Sequence, residues 1–453
     1  MLDIKLIREN PKLVKDTLRK RGMDEKDVDV LLNLDKDWRE LKQANDNLRA
    51  SRNKISEKIN EAKKQKNEKE AEKLIKEAQE IPVKIQENEK KLLELEEKRK
   101  EVLLNLPNLL EDDVPLGKDE TENKEIKKVG KPKKFNFEPK HHQDILTALD
   151  CLDTEQGAKV AGARFYYLKN QIVKLNQALQ AFALDLLTRR GFTPMQPPYM
   201  LNLNAMSGAV HISAFQDAIY KIQDEDLYLI GTAEHPLVAY MRDKIIDGKG
   251  LPVRFVGISP CFRREAGTHG KDTKGIFRVH QFEKIEQVVI CKKEQAKKEF
   301  DLLLKNLEDI FKTLNIPYRL VILCSGDTGK KDAKTIDLEG WFPAQKAYRE
   351  LGSCSTLKDF QGRRSNIRYM EKGETIIADT LNNTAIATER AIACLVENFQ
   401  QKDGSIKIPK ALWKYTGFKE IKAKKPEKTK KEKKEKAIKN KKPKKIKSKK
   451  RKQ

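Results

Sequence analysis

The feature that most restricts how this chain can fold is a pair of long segments in which apolar residues recur every three or four positions. The segments cover residues 34–62 and 74–106, and residues 63–70 between them are all polar. A sustained 3.5-residue period predicts two helices packed along one seam, and the polar stretch predicts the turn between them. We therefore expect an antiparallel two-helix coiled-coil arm over about residues 27–106.

Three residues interrupt this pattern. Asn45 and Arg52 occupy seam positions that apolar residues fill elsewhere, so packing competes with any other role there. Pro82 lies inside the second helix, where it should remove one hydrogen bond and kink the helix. Helices of about 40 residues at ~1.5 Å per residue extend ~60 Å, which suggests an arm that reaches for a partner. Before the arm, a short amphipathic helical region should end at Gly22.

Beyond the arm, the chain changes to short apolar runs that predict β-strands. The runs cover residues 227–231, 253–258, 287–291 and 318–324. Helical patterns interrupt them at about residues 171–190, 233–247, 293–314 and 388–400. Strands that follow one another without strict strand–helix alternation favour an α+β fold, with an antiparallel sheet and flanking helices. Because neither G-x-x-x-x-G-K-[ST] nor G-x-G-x-x-G occurs, a nucleotide would have to be bound by another device.

These patterns divide the chain into four parts. We predict an N-terminal domain over residues 1–106, a linker over 107–140 and the α+β domain over 141–418. Residues 419–453 contain 20 Lys or Arg and 4 Glu, a net charge of +16 out of +25 for the whole chain. A tail this polar is predicted to be disordered.

Composition argues against secretion and membrane insertion. No run approaches the ~18 apolar residues of a membrane span, and the first residues carry charges too often for a signal peptide. The six cysteines lie 30 or more residues apart, unlike a disulfide framework or a zinc site. We expect a cytoplasmic protein with reduced thiols, no membrane partner and no zinc.

The segment over residues 261–286 is the most informative for function. It is predicted to form a strand, a basic Gly-rich loop containing Lys271 and Lys274, and a second strand. Arg263 and Glu265 should face the same side of the first strand, where a guanidinium can bind a phosphate and a carboxylate can accept a hydrogen bond from an amine. One face of the second strand would carry Arg278, His280, Phe282, Lys284 and Glu286. Such a stripe suits a binding site better than a core.

Residues 262–275 (FRREAGTHGKDTKG) and 277–286 (FRVHQFEKIE) resemble motif 2 of the seryl-tRNA synthetases, a family of class II aminoacyl-tRNA synthetases. The resemblance covers nearly the whole chain. It includes the coiled-coil arm, the start of the catalytic domain at 160–166, motif 1 at 191–198, a serine-binding Thr-Ala-Glu at 232–234, an ATP- and metal-binding segment at 349–355 and motif 3 at 381–390. It implies the class II fold and an ATP-dependent serine–tRNA ligase.

The resemblance also implies how ATP would be bound. Arg263 would bind the α-phosphate, Glu265 would read adenine, and Phe282 and Arg390 would cover the two faces of the base. Serine itself supplies the nucleophile, so the catalytic residues Arg263 and Arg390 would act by positioning and electrostatics. The implied ATP-binding residues are Arg263, Arg264, Glu265, Arg278, Val279, Phe282, Glu350, Leu351, Gly352, Ser353 and Arg390, of which Glu350 and Ser353 would also hold Mg²⁺.

A serine pocket with two carboxylates would pair the substrate ammonium and accept from its hydroxyl, and it would reject alanine, which lacks that hydroxyl. The implied serine-binding residues are Thr232, Ala233, Glu234, Arg263, Glu286, Asn382 and Thr384. For some of them a structural role stays open: helix capping for Thr232 and Glu234, packing for Ser353 and a turn for Asn382.

One segment departs from the broader class. Where class II motif 3 carries alternating glycines, this chain has Asn383, Ala385 and Ala387. Seryl enzymes of the eukaryotic cytosolic type resemble this chain in tolerating such replacements, so we assign it to that type and expect activity. The cysteine pattern of the rarer zinc-dependent branch is absent.

For the arm, the resemblance implies binding of the long variable arm of tRNA-Ser across a homodimer. Basic side chains would contact phosphates and read shape. The candidates are Arg39, Lys42, Arg49, Arg52, Lys54 and Lys58. The Lys-rich tail would raise tRNA affinity through counterion release, with nuclear targeting or partner docking as the competing interpretation.

Two other functions stay open at this point. One is a synthetase of the same class that is specific for another amino acid. The other is a noncatalytic RNA-binding protein that keeps the synthetase shape.

Overall fold

The computed structural model describes residues 1–211, 218–265 and 274–423. The N-terminal part consists of helices α1 (Ile4–Glu9), α2 (Pro11–Lys20), α3 (Lys26–Lys64) and α4 (Glu68–Asn105). The turn between α3 and α4 ends at Asn67, whose side chain accepts a hydrogen bond from the Glu70 amide and so begins α4. The predicted antiparallel coiled-coil arm is confirmed, with a seam formed by Leu48, Ile55, Ile59, Leu74, Ala78, Ile81 and Ile85.

The three interrupting residues behave differently from one another. Asn45 is buried in the arm, whereas Arg52 is exposed, so packing does not compete for Arg52. Pro82 lies inside α4, which runs unbroken from Glu68 to Asn105. Only one backbone donor is lost at a proline, and the long seam on either side holds the helix together.

The base of the arm contains an ion cluster that the sequence did not indicate. Asp35 is fully buried, and its carboxylate pairs with Arg8 at 2.9 Å, Arg39 at 3.0 Å and Arg99 at 2.9 Å. These residues come from α1, α3 and α4, so one carboxylate joins three helices. Apolar side chains of α1 to α4 pack beside it, together with Phe360 from the second part of the chain.

The second part is built on a mixed, largely antiparallel sheet, as predicted. Its strands, in spatial order, are β1 (Lys124–Val129), β10 (Tyr318–Ile322), β11 (Lys334–Phe342), β12 (Ala347–Lys358), β15 (Asp379–Ala387), β9 (Gln281–Cys291), β8 (Val253–Phe262) and β4 (Thr193–Met195). Every neighbouring pair is antiparallel except β4 and β8. The central strands β9 and β15 are almost wholly buried, because helices cover the sheet.

Short strands form small ladders around this sheet. They are β2 (Leu152–Asp153) with β3 (Tyr167–Leu168), β5 (Met200–Leu201) with β6 (Tyr228–Leu229), β7 (Ile245–Asp247) with β13 (Arg368–Glu371) and β14 (Glu374–Ile377), and β16 (Ile406–Lys407) with β17 (Glu420–Ile421).

Helices lie between and over the strands. They are α5 (His142–Ala148), α6 (Thr154–Ala161), α7 (Gln171–Arg189), α8 (Leu203–Ala209), α9 (Glu234–Tyr240), α10 (Ala296–Thr313), α11 (Phe360–Arg364), α12 (Thr388–Phe399) and α13 (Trp413–Thr416), with 3₁₀ turns at Glu120–Glu122, Gly248–Gly250, Lys293–Gln295 and Lys410–Leu412. The main core joins α7, α10 and α12 to the sheet. Within the described residues, no helix is both long and apolar enough to cross a membrane.

Three predicted boundaries differ from the structure. The helix expected over 233–247 ends at Tyr240, and residues 245–247 form a strand instead. The segment 107–140 is not simply a linker, because β1 within it pairs with β10 at the sheet edge. The tail cannot begin at residue 419, because Ile421 is buried in the main core and β17 pairs with β16. Residues 424–453, and with them most of the predicted tail, lie outside the described residues.

Candidate active site

An aromatic cavity of about 290 Å³ lies between the start of β9 and the start of α12. Six of the residues predicted to bind ATP meet there. The lining residues are Arg263, Glu265, Ile276, Phe277, Arg278, Val279, Phe282, Ala387, Glu389 and Arg390. Segments that are more than one hundred residues apart in sequence therefore share one cavity, including Phe282 and Arg390.

Two arginine–aromatic pairs form the walls of this cavity. The Arg390 guanidinium lies 5.0 Å from the centre of the Phe277 ring, and that of Arg263 lies 5.2 Å from the Phe282 ring. Both distances are within the range of cation–π contact. Arg390 thus contacts Phe277, a residue that the sequence did not single out, and it shares the cavity with Phe282.

Arg263 and Glu265 are near each other, but not in the way we predicted. Strand β8 ends at Phe262, and Glu265 adopts a left-handed conformation with φ of +50°. Both residues therefore lie on the irregular segment after the strand, where the Arg263 amide donates to the His280 carbonyl. The Glu265 carboxylate pairs with Arg278 at 3.0 Å and is held at the edge of the aromatic cavity.

Behind the aromatic cavity, a buried histidine fixes the chain that carries Phe277. His142 Nε2 accepts a hydrogen bond from the Ile276 amide at 3.3 Å, so the proton on Nδ1 is donated to Glu397 Oε1 at 2.9 Å. Among the described residues, one group of three His, Cys, Asp or Glu side chains lies close enough together to share a metal. Its members are His141, His142 and Glu397. Because both nitrogens of His142 are already used, we read this group as support for the cavity wall.

A second, polar cavity of about 1030 Å³ adjoins the first one through Arg263, which lines both. It gathers Thr232, Glu234, Glu286, Asn382 and Thr384 of the predicted serine set, together with Glu350 and Ser353 of the predicted metal set. The sequence missed His235, Lys331, Asp332 and Ser355, which also line it.

Each of the two predicted serine-pocket carboxylates is buried and bound to a lysine. Glu286 Oε2 lies 2.8 Å from Lys284 Nζ and accepts a hydrogen bond from the Thr384 hydroxyl at 3.1 Å. Glu234 Oε1 pairs with Lys331 and accepts from the Gln361 amide at 2.9 Å. The carboxylates are therefore not free charges, as the sequence suggested, but oriented acceptors.

The surroundings set the pKa values of these two carboxylates in opposite directions. Burial raises the pKa of Glu286, and Lys284 offsets only part of that effect. For Glu234, burial again favours the neutral acid, but the Lys331 charge and the hydrogen bonds from Lys331 and Gln361 outweigh it, so its pKa is lowered. Burial lowers the pKa of His235 to about 3, so this imidazole is neutral at physiological pH.

Asn382 supplies an unused donor to the polar cavity. Its side chain is buried, and its Nδ2 has no hydrogen-bond partner among the described residues. An unpaired buried amide of this kind costs about 1–3 kcal/mol, so it indicates a ligand that accepts the bond.

A β-bulge brings Glu350 and Ser353 to the same cavity. In a regular strand, residues three apart point to opposite faces. Between β11 and β12 the register shifts, so Leu338 faces Gly352 while Glu339 faces Glu350. The intervening Leu351 is fully buried in the main core instead.

Glu350 and Asp337 are the carboxylates beside Ser353, one of the two residues predicted to hold the metal. Glu350 Oε1 pairs with Arg390 at 2.8 Å. Asp337, which the sequence missed, lies opposite Ser353 across β11 and β12, and its Oδ1 has no hydrogen-bond partner among the described residues. Burial and then the Glu350 charge raise the pKa of Asp337 well above its usual range. Two carboxylates beside a hydroxyl form an oxygen-rich donor set of the type that a hard divalent cation prefers.

Four predicted site residues line neither cavity. Arg264 is exposed, while Ala233 and Leu351 are buried in apolar clusters. Gly352 has a packing role, because a Cβ atom there would lie 2.8 Å from the Thr384 carbonyl oxygen. Of the basic loop, Lys271 lies outside the described residues.

The six basic residues predicted to bind RNA lie along α3. Arg39 pairs with Asp35 and Arg49 pairs with Glu89 at 2.8 Å, so these two already have partners within the N-terminal part. Lys42 lies 4.8 Å from the Trp38 ring. Arg52, Lys54 and Lys58 are exposed farther along the arm.

Comparison with known protein families divides the chain in the same way as the fold. Residues 1–110 match the description "Seryl-tRNA synthetase N-terminal domain". Residues 218–399 match "tRNA synthetase class II core domain (G, H, P, S and T)".

Individual relatives extend this similarity to most of the chain. A protein of Thermococcus sibiricus named "Serine--tRNA ligase" is 47% identical over 449 residues, covering 93% of this chain and 97% of the relative. The crystal structure of seryl-tRNA synthetase from Pyrococcus horikoshii complexed with ATP has a TM-score of 0.91 and 46% identity, covering 94% of this chain and all of the other. The cytoplasmic enzyme of Naegleria fowleri in complex with AMP has a TM-score of 0.84 and 36% identity, covering 94% and 99%.

Proposed function

This chain belongs to the seryl-tRNA synthetase family, and on that premise we propose that its two adjoining cavities bind the two substrates of serine activation. Its activity is that of an ATP-dependent serine–tRNA ligase. The enzyme activates L-serine with ATP to seryl-adenylate, with release of pyrophosphate, and then transfers the seryl group to the 3′-terminal adenosine of tRNA-Ser. Neither alternative, a synthetase for another amino acid nor a noncatalytic RNA-binding protein, fits relatives that carry this name at 45–47% identity.

The aromatic cavity is our proposed adenine site. Phe282 would stack on one face of the base and Arg390 would cover the other, while Phe277 supports Arg390 from behind. Glu265, held by Arg278, would accept a hydrogen bond from the exocyclic amine. The relatives whose structures hold ATP and AMP support a nucleotide site in this fold.

The single observation that carries the proposal is the position of Arg263, which lines both cavities. Its guanidinium can therefore contact the α-phosphate of a nucleotide in one cavity and the carboxylate that attacks it from the other. Neutralising both anions at their meeting point lowers the barrier without any protein nucleophile.

The polar cavity is our proposed serine pocket. Glu234 and Glu286 would receive the ammonium and hydroxyl groups of serine, and the unpaired amide of Asn382 would donate to a substrate oxygen. Thr232 and Thr384 line the same space. An amino acid without a hydroxyl would leave these buried polar groups unpaired, which supports rejection of alanine.

An ATP-using synthetase of this class works with a divalent metal such as Mg²⁺. We propose that Glu350 and Ser353 hold it, with Asp337 as a further oxygen donor. When bound, Mg²⁺ would neutralise charge on the phosphates that leave as pyrophosphate. The expectation that the enzyme needs no zinc stays a prediction.

The remaining proposals concern the whole enzyme. We propose a cytoplasmic homodimer formed through motif 1, in which Arg52, Lys54 and Lys58 of the arm contact the long variable arm of tRNA-Ser. Arg39, Lys42 and Arg49 remain candidates whose side chains also serve the arm. The eukaryotic subtype finds no support, because the relatives at 45–47% identity come from archaea.

Serine-dependent exchange of pyrophosphate into ATP tests the proposed pocket. We expect activity with serine, little with threonine and none with alanine. Asn382→Ala should raise the KM for serine roughly tenfold or more, since it removes a donor worth about 1–2 kcal/mol, and should leave the KM for ATP unchanged. Asn136→Ala, which changes an exposed asparagine, is the matched control. A serine KM unaffected by Asn382→Ala would contradict the assignment of the polar cavity.

A further inference from the structure

Lys331 lies in the polar cavity, yet nothing in its local sequence marks it as a site residue. We propose that Lys331 is a positioning residue that orients the Glu234 carboxylate for the amino-acid substrate, and that Arg21 and Asn108 hold Lys331 in register from the N-terminal part of the chain. This inference rests on the proposed serine pocket and adds to it a specificity element drawn from a distant segment.

Neighbouring side chains hold the Glu234 carboxylate in one orientation. Lys331 Nζ and the Gln361 amide both act on one oxygen, Oε1. Among the residues that the structure describes, no donor reaches Oε2, although Glu234 lines the polar cavity. The carboxylate is therefore anchored through one oxygen and presents the other to a substrate.

The Glu286 carboxylate is also anchored through one of its two oxygens. There a lysine, Lys284, and one neutral donor, Thr384, also meet on a single oxygen. One lysine compensates the charge of each of these two buried carboxylates, which suits a zwitterionic amino acid better than a simple cation. The two lysines differ in origin, because Lys284 shares strand β9 with Glu286, whereas Lys331 comes from the loop between β10 and β11.

Side chains from distant parts of the sequence hold the loop that carries Lys331. The backbone carbonyl oxygens of five successive residues, 328–332, all accept hydrogen bonds from only two residues, Arg21 and Asn108. Arg21 donates to Thr328 at 2.8 Å, to Gly329 at 3.2 Å and to Asp332 at 2.6 Å. The Asn108 backbone amide donates a hydrogen bond to the Lys330 carbonyl at 2.7 Å, and the Asn108 side-chain amide donates one to the Lys331 carbonyl at 3.0 Å.

These contacts fix the loop more firmly than a surface connection requires. Arg21 is 9% exposed, so its charge is buried against neutral carbonyl groups, and burial lowers its pKa to about 10. Burying an arginine is costly unless its donors are used. With the backbone of 328–332 fixed on one side, the side chain of Lys331 reaches Glu234 on the other.

The test measures the KM for serine and for ATP separately, in the full-length enzyme, by pyrophosphate exchange. Lys331→Met should raise the serine KM tenfold or more, because a misplaced carboxylate loses most of its advantage, while the ATP KM changes less than twofold. Lys331→Arg, which keeps the positive charge, should recover part of the loss. Lys330→Met, an exposed neighbour, is the matched control and should behave as the parent enzyme.

Arg21→Met should shift the serine KM in the same direction by a smaller factor, although Arg21 touches neither cavity. A serine KM unchanged in Lys331→Met would overturn the role of Lys331, and a decrease would show instead that Lys331 competes with the substrate ammonium. An unchanged serine KM in Arg21→Met would overturn the part played by the N-terminal segment. Glu234→Gln separates the two levels: if it too leaves the serine KM unchanged, the pocket assignment itself is wrong.

Discussion

At the scale of single residues, the motifs located the groups that would touch a substrate but missed those that hold them. Arg263, Phe282 and Glu286 stand in a segment whose charged and aromatic stripe is visible in the sequence. Lys331 reaches the polar cavity from a loop, and Asp337 lies opposite Ser353 on a strand, and the local sequence patterns of both are ordinary. Their importance depends on what the fold brings beside them, and no spacing rule contains that information.

The opposite pKa shifts of the two pocket carboxylates lead to a prediction about pH. Glu286 is buried near Glu234, with Lys284 and Thr384 beside it, and burial raises its pKa above 4.5. If its ionised form binds serine, kcat/KM for serine should fall as the pH drops through this raised pKa, while the ATP KM stays level. Glu286→Gln should lower kcat/KM by roughly 100-fold, the loss of about 2–3 kcal/mol from one charged hydrogen bond, and should flatten this acid limb.

The control for this pH profile is Glu234→Gln. Because the pKa of Glu234 is lowered, this variant should lose serine affinity and still show an acid limb, which should move to lower pH since the Glu234 charge helps to raise the pKa of Glu286. An acid limb that persists unchanged in Glu286→Gln would assign the titration to another group.

At the scale of helices and strands, long periods predicted well and local irregularities did not. The arm follows from a repeat that extends over many turns, so single exceptions such as Pro82 do not break it. By contrast, strand β12 presents Glu350 and Ser353 to one cavity only because a bulge at Leu351 shifts the alternation. A two-residue period would have separated them, and only the resemblance grouped them correctly.

The ion cluster at the base of the arm gives a prediction about local stability. Asp35→Asn should leave three arginines around a neutral amide, at a cost of about 2 kcal/mol or more. Hydrogen–deuterium exchange of the intact protein should then speed up roughly 30-fold in α1 and in the adjoining ends of α3 and α4.

Asp37→Asn, an exposed change two residues along α3, is the control for this effect and should leave the exchange rates as they are. Equal exchange in the Asp35 variant and the parent would mean that packing, not the ion cluster, holds the base of the arm.

At the scale of the whole molecule, two boundaries of the predicted parts differ from the structure. Composition separated the arm, the α+β domain and the tail. It could not show that residues 124–129 form an edge strand or that Ile421 packs in the core, because the first depends on pairing with a strand distant in sequence and the second on packing in the folded core. In both segments the few apolar residues stand among many charged ones, so the sequence pattern did not predict that they form part of the fold.

Because residues 420–421 belong to the fold, the role of the tail is tested by a truncation that keeps them. Truncation after Ala423 removes 18 of the 20 basic residues of the predicted tail but keeps β17. This variant should form adenylate normally and show a shallower dependence of tRNA affinity on salt concentration. The slope of log affinity against log salt concentration should decrease in magnitude by about 0.7–0.9 for each phosphate that the tail no longer neutralises.

Truncation after Phe418 also removes Ile421 and should lower the thermal unfolding midpoint in addition. An identical salt dependence in the parent and the shorter variant ending at Ala423 would favour nuclear targeting or partner docking as the role of the tail.

The five carbonyl groups held by Arg21 and Asn108 have a consequence for protein engineering. If residues 1–108 are exchanged for those of a relative, in order to change which RNA is recognised, the exchange also replaces the two side chains that hold part of the amino-acid pocket. A chimera joined beyond Asn108 should therefore be checked for amino-acid selectivity as well as for RNA preference, and a graft that retains these two residues is the safer design.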